Sequence, residues 1–103
     1  MNLKFNNDYL EALFEGETVK GKPKFSRDIV VKFRKTVLLL RFVGTISDLY
    51  KFKGLHFEAL RGDLQGFYSV RVDIKYRLIL RIEADEISLA DMLIIEDLTK
   101  HYA

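Results

Sequence analysis

Two runs in the C-terminal half of the chain alternate with period two, and together they constrain the fold more than any other stretch. In Phe67–Val72, Tyr68, Val70 and Val72 share one face while Phe67, Ser69 and Arg71 share the other. In Tyr76–Ile82, Tyr76, Leu78, Leu80 and Ile82 share one face while Arg77, Ile79 and Arg81 share the other. That is the periodicity of paired strands with one face buried. Asp73-Ile74-Lys75 between them reads as a three-residue hairpin loop, although it lacks the glycine such a loop usually takes. Pairing about that loop sets Arg71 opposite Arg77, and Phe67 opposite Arg81. Facing like charges destabilise a sheet. A sequence that keeps two arginines face to face supplies either an acidic neighbour or an anion for them.

The remaining elements arrange themselves around this hairpin. Asn2–Phe5 reads as a short first strand. Asn7 or Asp8 caps a helix carrying Tyr9, Leu10, Leu13 and Phe14, and Gly16 ends it. Glu17–Lys24, with the only proline, is a basic loop. Ser26 caps a longer helix over Arg27–Phe42, whose Ile29, Phe33, Thr36, Val37 and Leu40 form a buried stripe. Gly44 stops it, and Thr45 or Ser47 opens a short helix or turn through Tyr50. The segment LRGDLQG (60–66) reads as a loop. After the hairpin, Ala84-Asp85-Glu86 reads as a turn, and Ile87 and Leu89 as the start of another strand. Met92–Glu96 is an apolar run suited to a strand covered on both faces, and a tail from Asp97 to Ala103 follows. The expected fold class is therefore α+β: a single domain over residues 1–103, with a small antiparallel sheet of three to five strands packed against two or three N-terminal helices.

Length and charge narrow the function. A chain of 103 residues, 49% of them hydrophobic, can bury one core but not two. No apolar run approaches the ~20 residues of a membrane span, so no membrane partner is expected. There is no cysteine and only His56 and His101, which argues against a zinc site. These features suit a cytoplasmic protein. The net charge of +2 hides an asymmetry. Residues 20–53 carry ten basic side chains against Asp28 and Asp48, whereas Glu83–Asp97 holds six acids and no lysine or arginine. A basic half points either to a phosphate-bearing partner or to a solvated helix face.

No glycine-rich phosphate loop, HExxH helix or nucleophile elbow is present. The remaining inventory is cationic (Arg61, Arg71, Arg77, Arg81) and aromatic (Phe67, Tyr68, Tyr76, Tyr102), with two histidines. It suits RNA cleavage without a metal or other cofactor. There the ribose 2′-hydroxyl attacks the adjacent phosphorus, and the protein positions the strand, moves protons and neutralises a phosphorane. Arginine forks meet the last need.

The stretch LHFEALRGDLQGFYSVRVDIKYRLILRI (55–82), followed by IIEDLTKHY, resembles the HigB-type (plasmid killer) toxins of the RelE/ParE superfamily. The family pattern is a Leu-x-x-Leu-Lys-Gly-Asp loop, a Gly-x-x-Ser-Ile-Arg-Val strand, an aromatic-Arg-x-x-Phe-Arg strand, a short acidic strand and an Asp-Tyr-His tail. The resemblance is specific over residues 55–82 and looser before them. It implies a small helix-on-sheet toxin that enters the ribosomal A site and cleaves mRNA, silenced by a cognate helix-turn-helix antitoxin. On the matching positions, Arg77, Arg61, His101, Asp97 and Tyr102 would be catalytic. His56, Arg71, Arg81 and Lys53 would bind substrate. Two departures stand out. Arg61 replaces a lysine, and arginine stays charged at neutral pH and does not exchange a proton. The tail reads Asp-Leu-Thr-Lys-His-Tyr, with inserted residues and the final pair reversed.

Each assignment has a structural alternative. Arg71, Arg77 and above all Arg81 could pair with the acids of Glu83–Asp97. His56 could be a loop residue bonded to backbone, and Tyr68 and Tyr76 could be core. His101 lies near a terminus, where order is scarce, and Tyr102 could staple the tail to the sheet. At the level of function, the rival is a non-enzymatic, ParE-like inhibitor of DNA gyrase, since fold alone does not fix activity. A third reading is an inactive remnant that only binds its antitoxin.

Overall fold

The computed structural model describes residues 1–85, 87 and 90–100. The chain runs β1 (Asn2–Phe5), α1 (Asp8–Glu15), α2 (Arg27–Phe42), α3 (Ile46–Lys51), β2 (Glu58–Ala59), β3 (Tyr68–Arg71), β4 (Arg77–Asp85) and β5 (Ala90–Thr99). Single 3-10 turns lie at Lys53–Leu55 and Gly62–Leu64. The strands form one five-stranded sheet in the order β1-β5-β4-β3-β2. It is antiparallel except at one edge, where β1 runs parallel to β5.

Local sequence explains the helices. The Asn7 side chain accepts from the Leu10 amide, Ser26 from Ile29 and Thr45 from Asp48, so each helix starts on a side-chain oxygen. Gly16, at φ 77°, closes α1 in the left-handed region that a side chain would strain. Every residue of the expected α2 stripe is buried. It packs with Leu10, Leu49 and Leu55 against Val70, Leu78, Leu80, Leu93, Ile95 and Leu98 of the sheet. Each such fully buried side chain is worth about 1.5–3 kcal/mol.

The hairpin has the expected register, with Arg71 opposite Arg77. Asp73 takes over from the missing glycine. Its Oδ1 accepts from the amides of Lys75 at 2.8 Å and Tyr76 at 2.6 Å, holding the turn without a left-handed residue. Burial pushes the Asp73 carboxyl up, but the Tyr76 and Lys75 amides outweigh it and hold the group below its usual range.

Several boundaries differ from expectation. β3 starts at Tyr68, leaving Phe67 before it. β4 continues through Ala84 and Asp85, which read as a turn in the sequence, because β5 is long enough to pair with it there. β5 itself is one ten-residue strand, in which Leu93, Ile94 and Ile95 are all fully buried. The two-residue β2 lies just before the expected 60–66 loop, at residues to which the sequence pattern assigns no element, held by Glu58–Ser69 and Ala59–Tyr68 pairing.

Glu96 marks a slip in the β4–β5 ladder, since Ile79 pairs with Asp97 but Leu80 with Ile95. Its carboxylate accepts from Asn6 Nδ2 at 3.2 and 3.0 Å and from Arg81 Nε at 2.9 Å, and its carbonyl accepts from Asn7 Nδ2 at 3.2 Å. One residue thus ties the β1–α1 junction to β5 and β4. Burial pushes the Glu96 carboxyl up, yet the bonds from Asn6 and Arg81 win and hold it below the ordinary range. A carboxyl lowered in the folded state contributes stability above its unfolded pKa of about 4.3, and that contribution fades as pH falls through the folded value. Glu96→Gln should therefore cost about 1–2 kcal/mol at pH 7. The gap from wild type should close below about pH 4, as read by urea denaturation across pH.

Candidate functional site

The strand pleat sends alternate residues to opposite faces, and the face turned away from the helices carries the polar ones. The sheet register draws two rows across it. Glu58, Ser69, Ile79 and Asp97 lie side by side over β2, β3, β4 and β5. The next row holds Arg71, Arg77 and Thr99.

Arg77 is the hub of this face. It is only 7% exposed. Its Nε and Nη2 donate to Ser69 Oγ at 3.2 and 2.8 Å, and Nη2 also donates to the His56 carbonyl at 2.7 Å and to Glu58 Oε1 at 3.2 Å. The guanidinium therefore crosses β3 to reach the β2 strand and the turn before it. Serine at 69 makes this possible, because its fully buried hydroxyl is a small acceptor in the path. Arg77 pairs with a carboxylate of β2, Glu58, which lies outside the acidic run of Glu83–Asp97 that the alternative in the sequence pointed to.

His56 has φ 47°, the one described non-glycine residue in the left-handed region. That turn aims its carbonyl at Arg77 and its ring at Arg71, with Nε2 3.3 Å from Arg71 Nη1. Arginine only donates, so this contact is a hydrogen bond in the tautomer that carries its proton on Nδ1. Arg71 is exposed and has no carboxylate partner among the described residues. Arg61, at the start of the Gly62–Leu64 turn, and Lys53, in the preceding 3-10 turn, are likewise exposed with no side-chain bond among the described residues.

The cluster thus contains His56, Arg71 and Arg77, plus Ser69 and Glu58, which reading the sequence missed. Glu58 had a usable signal: it stands two residues from His56 in the most distinctive stretch. Asp97 lies in the Ser69 row two strands away, roughly 10 Å by strand spacing, and its Oδ1 accepts from the Leu98 amide at 2.8 Å. Arg81 is not part of the cluster. It is bound by Glu83 on its own strand and by Glu96 on β5, which raise its pKa through hydrogen bonds, Glu96 foremost. His101 and Tyr102 lie outside the described residues. Tyr68 and Tyr76 pack against the core, Tyr68 stacked on Phe57 at 5.4 Å.

The basic half of the chain is partly spent internally. Lys32 pairs with Asp28 and Lys51 with Asp48, Arg34 Nε donates to the Leu13 carbonyl, and Arg41 lies over the Phe14 ring. Asp48 is held below its usual range, mainly by its bond with Lys51.

Because Arg77 has a structural role, its removal should be felt by the fold. Arg77→Ala strips the buried Ser69 hydroxyl and the His56 carbonyl of a partner and should cost about 2–3 kcal/mol. Arg71→Ala, at an exposed position, should stay within about 0.5 kcal/mol. Urea denaturation of the two variants distinguishes the roles, and equal costs would contradict them.

Several solved structures share the fold. A YoeB/ParE toxin from Agrobacterium tumefaciens superposes with a TM-score of 0.57 at 18% identity, covering 99% of this chain and 100% of that one. YafQ from E. coli strain BL21(DE3) gives 0.57 at 13% identity, covering 95% and 90%. The YoeB–YefM complex from Staphylococcus aureus gives 0.50 at 18%, covering 99% and 98%. No curated protein sequence matches the chain. Residues 3–92 match the family described as the RelE-like toxin of the type II toxin–antitoxin system HigB. The chain belongs to that HigB-like toxin family.

Proposed function

We propose that this toxin is a ribosome-dependent endoribonuclease that cleaves mRNA by metal-free transesterification. The observation that carries the reading is the polar cluster on the helix-free face. Arg71 and Arg77 stand opposite one another, with the His56 ring at one guanidinium and the Glu58 carboxylate at the other.

In this mechanism the 2′-hydroxyl oxygen forms a bond to the adjacent phosphorus and the bond to the 5′-oxygen breaks. The products are a 2′,3′-cyclic phosphate and a 5′-hydroxyl. Glu58, whose side chain is 55% exposed, is placed to take the 2′-hydroxyl proton. The leaving 5′-oxygen needs a proton in return, for which His56 and the tail His101 are the candidates. Arg71 supplies unneutralised positive charge for the phosphorane, and Arg77 adds to it while holding Glu58 in place. Arg61 and Lys53 contribute field and strand contacts, and Asp97 and Tyr102 would position the tail. Arg81, already bound by two carboxylates, has the weakest case among the residues expected to touch RNA. The exposed lysines of α2 and its flanking loops would grip ribosomal RNA. An antitoxin partner follows from the family, and a helix-turn-helix antitoxin acting in the cytoplasm is the form proposed here.

The test is to induce the toxin without antitoxin and map mRNA 5′ ends. Discrete cuts within reading frames are expected. Glu58→Gln should slow cleavage by about 10²–10⁴-fold, and Arg71→Ala by about 10²–10³-fold. DNA damage without mRNA cuts would instead favour the gyrase-inhibitor reading, and neither effect would favour an inactive antitoxin-binding remnant.

A further inference from the structure

β2 begins only at Glu58 and pairs with Ser69 and Tyr68, so Val70 and Arg71 of β3 have no ladder partner on that side, where the Lys53–Leu55 turn packs instead. The Val72 amide donates to the Tyr76 carbonyl at 2.9 Å, which makes Val72 a hydrogen-bonded position toward β4. By the alternation of an antiparallel ladder, the main-chain groups of Arg71 face the other way, toward the vacated edge. A cavity of about 270 Å³ opens there, between this edge, α2 and the 3-10 turn at Lys53–Leu55. Leu39, Leu55 and Val72 give it apolar walls, and Phe52 contributes a partly exposed ring. Among the described residues its cations are Lys35 and Arg71, and none of those lining it is a carboxylate.

We propose that this cavity holds the base of the nucleotide next to the scissile phosphate, stacked on Phe52, with that nucleotide's phosphate between Arg71 and Lys35. The assignment rests on the ribonuclease reading above and gives that site a second subsite. Three features converge on it. Drug-sized ligands occupy roughly 300–1,000 Å³, so this volume suits a single ring system and not a dinucleotide. An apolar floor with one aromatic ring and a cationic rim is the composition that binds single-stranded nucleic acid, by stacking bases and tracking the backbone. Arg71 belongs to both places, since it meets His56 in the polar cluster and lines the cavity. A strand whose scissile phosphate lies at the cluster therefore passes the mouth of the cavity next. The free main-chain edge at Arg71 adds a donor and an acceptor for the base rim.

The glycine at 54 offers a clean block. It lines the cavity, its φ is outside the left-handed region, and a Cβ there would meet open space. Ribosomes programmed with a synthetic mRNA provide the assay, the base being removed in turn from each nucleotide flanking the cut. For the wild type, an abasic nucleotide on one side only should lower the cleavage rate about 5- to 100-fold, the range of a lost stacking contact. Phe52→Ala and Gly54→Leu should cause a similar loss on intact mRNA and almost none beyond that on the responsive abasic mRNA. Lys35→Gln should weaken cleavage of both mRNAs alike. The abasic arm uses the wild-type protein and so decides the matter even where a variant folds poorly. Wild-type cutting indifferent to abasic positions, or variants as active as wild type, would overturn the subsite alone. A wild type that leaves mRNA intact would overturn the ribonuclease reading and the subsite with it.

Discussion

A guanidinium taken almost wholly out of water must be given acceptors, and at Arg77 the described residues supply them from at least three separate places. Ser69 lies on the neighbouring strand, Glu58 one strand further, and the His56 carbonyl in the turn that feeds β2. Remove that arginine and the reason for β2 to stop after two residues, and for His56 to enter the left-handed region, weakens together. Two arginines facing each other are tolerated because they are treated differently. Arg77 is inserted into the sheet surface and bonded, while Arg71 is left in solvent beside the His56 ring. The like-charge penalty that makes the register look improbable in the sequence is largely removed by this separation.

The carboxylate found on Arg77 bears directly on the chemistry. An arginine saturated by its own protein's acids has little left for a phosphate. The Glu58 carboxylate in this pair is more than half exposed, so solvent screening keeps the pair weak. A phosphate bound bidentately by guanidinium groups is a stronger partner than that. Substrate can therefore compete for Arg77 without dismantling the buried bonds to Ser69 and His56. Arg81 is the contrasting case. It is gripped by two carboxylates, one of them, Glu96, mostly buried and tied also to Asn6, so displacing them would loosen the sheet edge.

Elements governed by local chemistry were legible in the sequence. The α2 stripe, its Ser26 cap and the Gly16 stop depend on residues within a few positions of each other, and they stand where the pattern puts them. The hairpin register was legible for the same reason, even though Asp73 and not glycine makes the turn. Features set by distant pairing were not. The parallel placement of β1 on β5 depends on the whole helical layer lying between them in sequence. β2 is too short to carry a period, and it exists because β3 offers Ser69 and Tyr68 as partners. Glu58 was overlooked with it, because the dense acidic run beyond Glu83 looked like the natural counter-charge for the arginines. Charge density along a sequence was a poor guide to distance across a sheet. Of the site, the facing of Arg71 and Arg77 was visible, and His56 was grouped with them only through the family resemblance, whereas the serine and glutamate that organise Arg77 needed the register.

The positive charge of the first half is also less uniform than its sequence suggests. Lys32 and Lys51 are paired within their own helices, and Arg34 and Arg41 brace α2 against α1. What remains for a polyanion includes Lys20, Lys22, Arg27, Lys35 and Lys53, joined by Arg61 and Arg71 of the second half, none of which has an acidic partner among the described residues. Lys35 and Arg71 line the cavity beside the vacated β3 edge, and Lys53 lies in the turn that forms another of its sides. The same truncation of β2 that leaves room for Arg77 to reach Glu58 thus opens the neighbouring edge. Polar cluster and cavity are two consequences of one short strand, so lengthening β2 by pairing toward Val72 would be expected to close both.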